Sequence, residues 1–159
     1  MKYKGTFTFE QVRGGVVIAK ERLSNLIITE GVASVWDVAF GGATAVNPWY
    51  IGLINNTPAP TLLATDTLAS HANWTEIVPG VGYTGNRQEW VDAATIGRVK
   101  GTTSVAAFPI LATATLYGMF IASVATGTSG VIWSEGAFDS VRPVIASDTI
   151  NATYEIEFA

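Results

Sequence analysis

The chain of 159 residues contains no cysteine. That excludes disulfides, thiolate metal sites and cysteine nucleophiles together. It has one histidine, His71, with Asp66 and Glu76 near it in sequence. A protein metal site needs three or four converging ligands, so this donor set is too thin to predict one. Charge is scarce as well. Charged residues make up 14% of the chain, against roughly 25% in an average domain. Neutral or apolar surface is therefore left over for contact with another protein. The formal net charge is −4 and no basic stripe is present, which argues against nucleic-acid binding. No stretch approaches the roughly 18 consecutive apolar residues of a membrane-spanning helix. The start, MKYKGTFTFE, carries two lysines with no apolar run behind them, so it does not read as a signal peptide. The triplets at Asn73 and Asn151 fit the glycosylation sequon, but carry little weight without a secretion signal.

What is abundant is strand pattern. Tyr3, Gly5, Phe7 and Phe9 alternate with Lys4, Thr6, Thr8 and Glu10, the period of a half-buried strand. Gly14-Gly15 then Val16–Glu21 predicts a tight hairpin, because glycine reaches positive φ without steric cost. Leu26–Ile28 closes a strand. The period then changes: Val32, Val35, Trp36 and Ala39 fall on one helical face. A helix is expected over 29–40, capped by Thr29, favoured by Glu30 at its positive end and stopped at Gly41-Gly42. Trp36 is then on the inner face. Trp49–Ile54 reads as a strand buried on both sides. A polar loop follows over 55–61, and Asp66 is placed to cap a short second helix over 66–71. Further strands are expected near 87–91, 104–108, 115–122, 131–135, 141–145 and 151–158. Many short strands with one helix and no βαβ rhythm predict a mainly β fold, an antiparallel sandwich formed by residues 1–159 as a single domain.

Four constellations invite a chemical reading. Gly80–Gly85 is GVGYTG, the glycine pattern of dinucleotide loops. Such a loop needs a strand before it and a helix after it. Here Pro79 precedes the string and a strand-like NRQEWV follows, so it predicts a turn-rich connection and no cofactor. His71 reads as a helix-end histidine hydrogen-bonded to backbone or water, and no G-x-S-x-G elbow exists to pair with it. Glu155 and Glu157 share a strand face about 7 Å apart, the kind of carboxylate pair a glycosidase would need. At a strand-like terminus they read as a solvated or partner-facing edge. Of the five tryptophans, Trp36 and Trp49 read as core. Trp74, Trp90 and Trp133 lie near strand ends and fit either core or interface. No catalytic, cofactor-binding or metal residues are assigned, and the chain is not expected to be an enzyme.

The stretches KGTFTFEQVRGGVV, NLIITEGVASVWDVAFGG, WYIGLIN, DTLASHANWTE, GMFIAS, GVIWSEGAFDSVRPV and DTINATYEIEF occur in this order. Together they span nearly the whole chain. In that order the chain resembles the cement, or decoration, proteins on the capsid exterior of tailed bacteriophages, most specifically in WYIGLI and IWSEGAFDS. The resemblance implies a jelly-roll-like sandwich that binds the major capsid protein and forms a homo-oligomer, a dimer or trimer. It implies a place on the virion exterior after synthesis in the host bacterial cytoplasm, with no nucleic acid, membrane or cofactor as partner. The expected contact residues are Lys2, Lys4 and Arg13, which would steer the chain to an acidic shell, and Asn55, Asn56 and Thr57 in an exposed neutral loop. The strand edge over 2–10 is a further candidate for pairing with a neighbour. The competing expectation is a tail or surface adhesin module that binds host carbohydrate on an exposed platform at Trp74 or Trp90.

Overall fold

A computed structural model describes residues 3–158. In chain order the elements are β1 (Tyr3–Arg13), β2 (Val16–Ser24), β3 (Leu26–Ile27), α1 (Thr29–Phe40), β4 (Trp49–Asn55), β5 (Thr75–Glu76) and β6 (Gln88–Asp92). Then come β7 (Val99–Lys100), β8 (Thr102–Ser104), β9 (Ala106–Pro109), β10 (Ala114–Ala122), β11 (Ile132–Val144) and β12 (Thr149–Phe158). They form two antiparallel sheets. One runs β2-β1-β12-β7, with β9 also paired to β12. The other runs β3-β11-β10-β4-β6-β8, with β5 paired to β4. The mainly β, antiparallel sandwich read from the alternation is what the chain adopts.

The inner faces meet in one core. Phe7, Phe9, Tyr154, Ile150 and Phe108 come from the first sheet; Ile51, Leu53, Met119, Ile121 and Trp133 come from the second. Full burial of each such side chain contributes about 1.5–3 kcal/mol. The outer face of the first sheet is charged and paired: Lys20 bonds Glu10 at 2.6 Å and Arg22 meets Glu155 at 3.4 Å. The second sheet is buried on both faces. Ile54, Phe120 and Ile132 on its outer side pack with Leu68 and Trp74 in a separate cluster, supplied by the long segment between β4 and β6. Gly52 makes room there: a Cβ would stand 2.4 Å from the Phe120 ring.

The helix bounds agree with the sequence pattern, and Gly42 follows its end at φ 75°. Its cap does not agree. The N-cap residue is Ile28, with no side-chain bond. Glu30 instead accepts from the backbone N–H groups of Leu68 (3.1 Å) and Ile132 (2.8 Å), tying the first turn to the loop and to β11. Trp36 is 51% exposed, against expectation, and sits edge-to-face with Phe40, itself 86% exposed. Besides Glu30, the helix packs on the sandwich through Gly31, Val32 and Val35, a buried stripe too narrow to include Trp36.

Four further expectations are corrected. Residues 66–71 form no helix: Thr67 and Ser70 bond each other's backbones in a tight turn, and the Asp66 carboxylate turns back to the Leu63 N–H at 3.0 Å. The strands expected at 131–135 and 141–145 are one strand, β11. Gly136, which reads as a break, is a packing glycine whose Cβ would meet Leu23 and Phe7 at 3.0 Å. The strand expected at 104–108 is divided between β8 and β9. The β1 segment is also no edge, because it lies between β2 and β12.

Candidate functional site

The sandwich has two unlike ends. At the hairpin end, the Gly14-Gly15 turn, the β11–β12 turn and the β9–β10 connection come together. Arg13 donates to both oxygens of Asp148 at 2.7 and 2.8 Å, Gln11 donates to the same carboxylate at 2.8 Å, and the Ile145 N–H caps it at 3.0 Å. The Arg13 bond, the Ile145 N–H and Gln11 hold the Asp148 carboxyl well below the usual range, against its burial. Ser147 N–H bonds the Ile110 carbonyl, and Leu111 N–H bonds that of Gly82. On this braced scaffold six apolar side chains face solvent: Val16, Val17, Ile18, Val81, Leu111 and Ile145, each 41–66% exposed.

The expected contact residues divide between the ends. Arg13 is at the hairpin end, but its charge is spent on Asp148. Asn55, Asn56 and Thr57 are there too: Asn56 N–H bonds the Thr115 carbonyl, and Thr115 is the cross-strand partner of Pro143. Asn55 and Asn56 are half-buried and Thr57 is exposed. Lys4 is exposed beside Glu157, nine residues from Arg13 along β1, which is about 30 Å of strand. The two cations do not form one patch. Lys2 lies outside the described residues. The apolar set was not singled out in the sequence, although Val16-Val17-Ile18 breaks the alternation just after the glycine pair.

The helix end carries a pocket of about 320 Å³, open to solvent, between the two sheets and α1. The rings of Tyr3, Trp49, Trp90 and Trp133 line it, with Asn47 and the ion pair Asp92–Lys100. Trp49 and Trp90 are direct cross-strand partners of β4 and β6, and Trp49 meets Trp133 edge-on at 6.5 Å. The indole N–H groups of Trp90 and Trp133 are engaged inward, with Thr102 at 2.9 Å and Tyr154 at 3.0 Å. The expected exposed platform at Trp74 or Trp90 is absent, since these are 2% and 7% exposed. Trp90 instead forms pocket wall, and Trp49, expected in the core, is half-buried beside it.

The third arrangement is sealed. Trp74 Nε1 donates to Glu135 Oε1 at 3.1 Å and to Asp66 Oδ2 at 3.3 Å. Burial, then the Asp66 carboxylate, pushes the Glu135 carboxyl up to about 8, so it is largely a neutral acid at pH 7. His71 stacks on Trp74 at 3.9 Å, with Nδ1 3.2 Å from the Trp74 carbonyl, the backbone contact expected of it. Glu76 is elsewhere, paired twice with Arg87 at 2.7 and 2.8 Å over the Phe120 ring. Among the described residues no group of three His, Asp or Glu side chains is placed to hold a metal ion. With Glu135 at 0% and Asp66 at 5% exposure, the pair is closed off from solvent; it latches the 62–74 loop to the outer face of the second sheet. The GVGYTG string buries Tyr83 completely and leads into strand β6. No protein-family model matches this chain, and no curated protein is similar to it.

Proposed function

We propose that this protein is a non-enzymatic virion component of a tailed bacteriophage, which binds the outside of the capsid and stabilises the shell. The observation that carries the reading is the hairpin end. Six exposed apolar side chains stand on turns braced by the Gln11–Arg13–Asp148 network. Exposed apolar groups on a rigid support are what a docking surface needs, because little conformational entropy is lost on binding. The sequence resemblance to cement proteins points to the major capsid protein as the partner, and to a dimer or trimer as the bound form. A protein that binds the assembled lattice and not the free subunit stabilises the lattice by mass action. Repetition over the shell adds avidity without strong single contacts.

The experiment is co-sedimentation of the purified protein with shells of its own virus that lack it. Saturable binding at a copy number set by shell symmetry is expected. Val17→Asp and Leu111→Asp should each weaken binding, by about tenfold or more, with folding unchanged because both side chains face solvent. Saturable binding untouched by either substitution would remove the hairpin end from the interface. Lack of binding by the folded protein would remove the capsid reading.

A further inference from the structure

The pocket at the helix end is distant from the proposed shell contact and is not needed for it. We infer that it is a binding site for a neutral hexopyranose unit of a surface polysaccharide, seated among Tyr3, Trp49, Trp90 and Trp133 and hydrogen-bonded by Asn47, Asp92 and Lys100.

The volume of about 320 Å³ is at the lower end of the roughly 300–1,000 Å³ usual for small-ligand pockets. That admits one sugar ring and excludes a dinucleotide. The lining is aromatic with a few polar groups, which is also the usual composition of such sites. Aromatic faces carry negative charge density. They therefore favour the weakly positive C–H face of a pyranose, while the sugar's rim of hydroxyls needs both donors and acceptors. Asn47 offers both, the Asp92 carboxylate accepts and the Lys100 ammonium donates. Because Lys100 is already paired with Asp92 and also donates to the Ala93 carbonyl at 3.1 Å, its charge is spent. An anionic sugar or a phosphate gains no free cation there, so the site selects a neutral ring. The walls are also fixed in advance. Trp90 and Trp133 are held by their N–H bonds to Thr102 and Tyr154, so little ordering is lost on binding. Beyond Trp49 lies a second hollow of about 120 Å³, sharing Val35, Val46 and Trp49 with the first. That hollow is too small to seat a second ring.

The test uses the full-length protein and the methyl pyranosides of glucose, galactose, mannose and N-acetylglucosamine at millimolar concentration. Saturation-transfer NMR reads contact between protein aromatic protons and sugar ring protons, and tryptophan indole shifts give the affinity. Transfer to at least one of the four sugars is expected. Trp49→Ala should weaken that binding by about tenfold or more, at some cost in melting temperature because Trp49 packs against Trp133, and Asp92→Asn should weaken it severalfold with the melting temperature close to the parent's. Absence of transfer from all four sugars overturns the inference, as does transfer that survives both substitutions. Indole shifts that depend on protein concentration without sugar would assign the pocket to a second copy of the chain and overturn it equally. Since shell binding is read separately by co-sedimentation, failure here leaves that proposal standing.

Discussion

Glu135 is fully buried beside Asp66, and its neutral form is the one the fold keeps. A carboxyl raised above its ordinary value contributes stability that is complete below that value and is lost as pH climbs through the folded one. For Glu135 the loss runs from 4.5 to about 8, with a limiting slope of about 1.4 kcal/mol per pH unit. Glu135→Gln keeps an acceptor for Trp74 and presents an amide donor to Asp66, but it does not ionise. The variant should match the parent within about 1 kcal/mol in acid and pull ahead progressively from pH 4.5 to about 8, above which the gap stays constant. Urea unfolding of both proteins across this range measures the difference, in which titration of the other groups cancels. Parallel curves would mean that Glu135 is charged in the fold. Asp148 has the opposite sign. Held low by Arg13, it contributes stability present above its ordinary value of 3.8 and lost as pH falls through the folded value. Asp148→Asn should cost about 1.5–3 kcal/mol near neutrality, and the deficit should shrink in acid, read by the same unfolding curves.

Among the elements, α1 depends on one close approach. A Cβ on Gly31 would stand 2.6 Å from the Trp133 Cα and 2.7 Å from the Ile132 carbonyl oxygen. Backbone does not yield as a flexible side chain would, so Gly31→Ala must lift the helix from β11. A cost of about 1–3 kcal/mol is expected, despite alanine's better helix propensity, and thermal unfolding measures it. An unchanged melting temperature would show that the helix is loosely seated. The strands and this helix were legible in the sequence because burial on one face imprints a period on the residues. The strand β4, buried on both faces, was legible too, from its unbroken apolar run, whereas elements that continue or break for packing reasons were not. Gly136 reads as a stop yet lies inside β11, and the Asp66 turn has a helix-like cap sequence whose carboxylate is drawn inward by Trp74. Trp36, read as core, and Trp74, offered as an exposed platform, were misjudged for the same reason. Position on a periodic face sets direction, whereas exposure depends on what the topology places opposite. Trp36 lies beside a buried helical stripe too narrow to cover it, and Trp74 sits on a loop with no period at all that packs onto the second sheet. The pocket had no sequence signature, since Tyr3, Trp49, Trp90, Trp133 and Ile156 meet only through the order of strands.

At the scale of the whole molecule, the sandwich is polar along its axis, with exposed aliphatic turns at one end and an aromatic pocket at the other. If the hairpin end seats on the shell, the pocket faces outward, where a surface glycan would be met. The absence of cysteine makes this orientation measurable, because a single introduced thiol is the only one in the chain. Val17→Cys and Leu111→Cys place thiols at the hairpin end, and Phe40→Cys places one at the helix end; all three parent side chains are at least half exposed. In free protein each should react readily with maleimide. On shells, the Val17 and Leu111 positions should be protected while the Phe40 position stays reactive, as read by mass spectrometry of this chain alone. Protection at Phe40 with free reaction at Val17 would reverse the orientation, bury the pocket against the capsid and leave the sugar site accessible only before assembly.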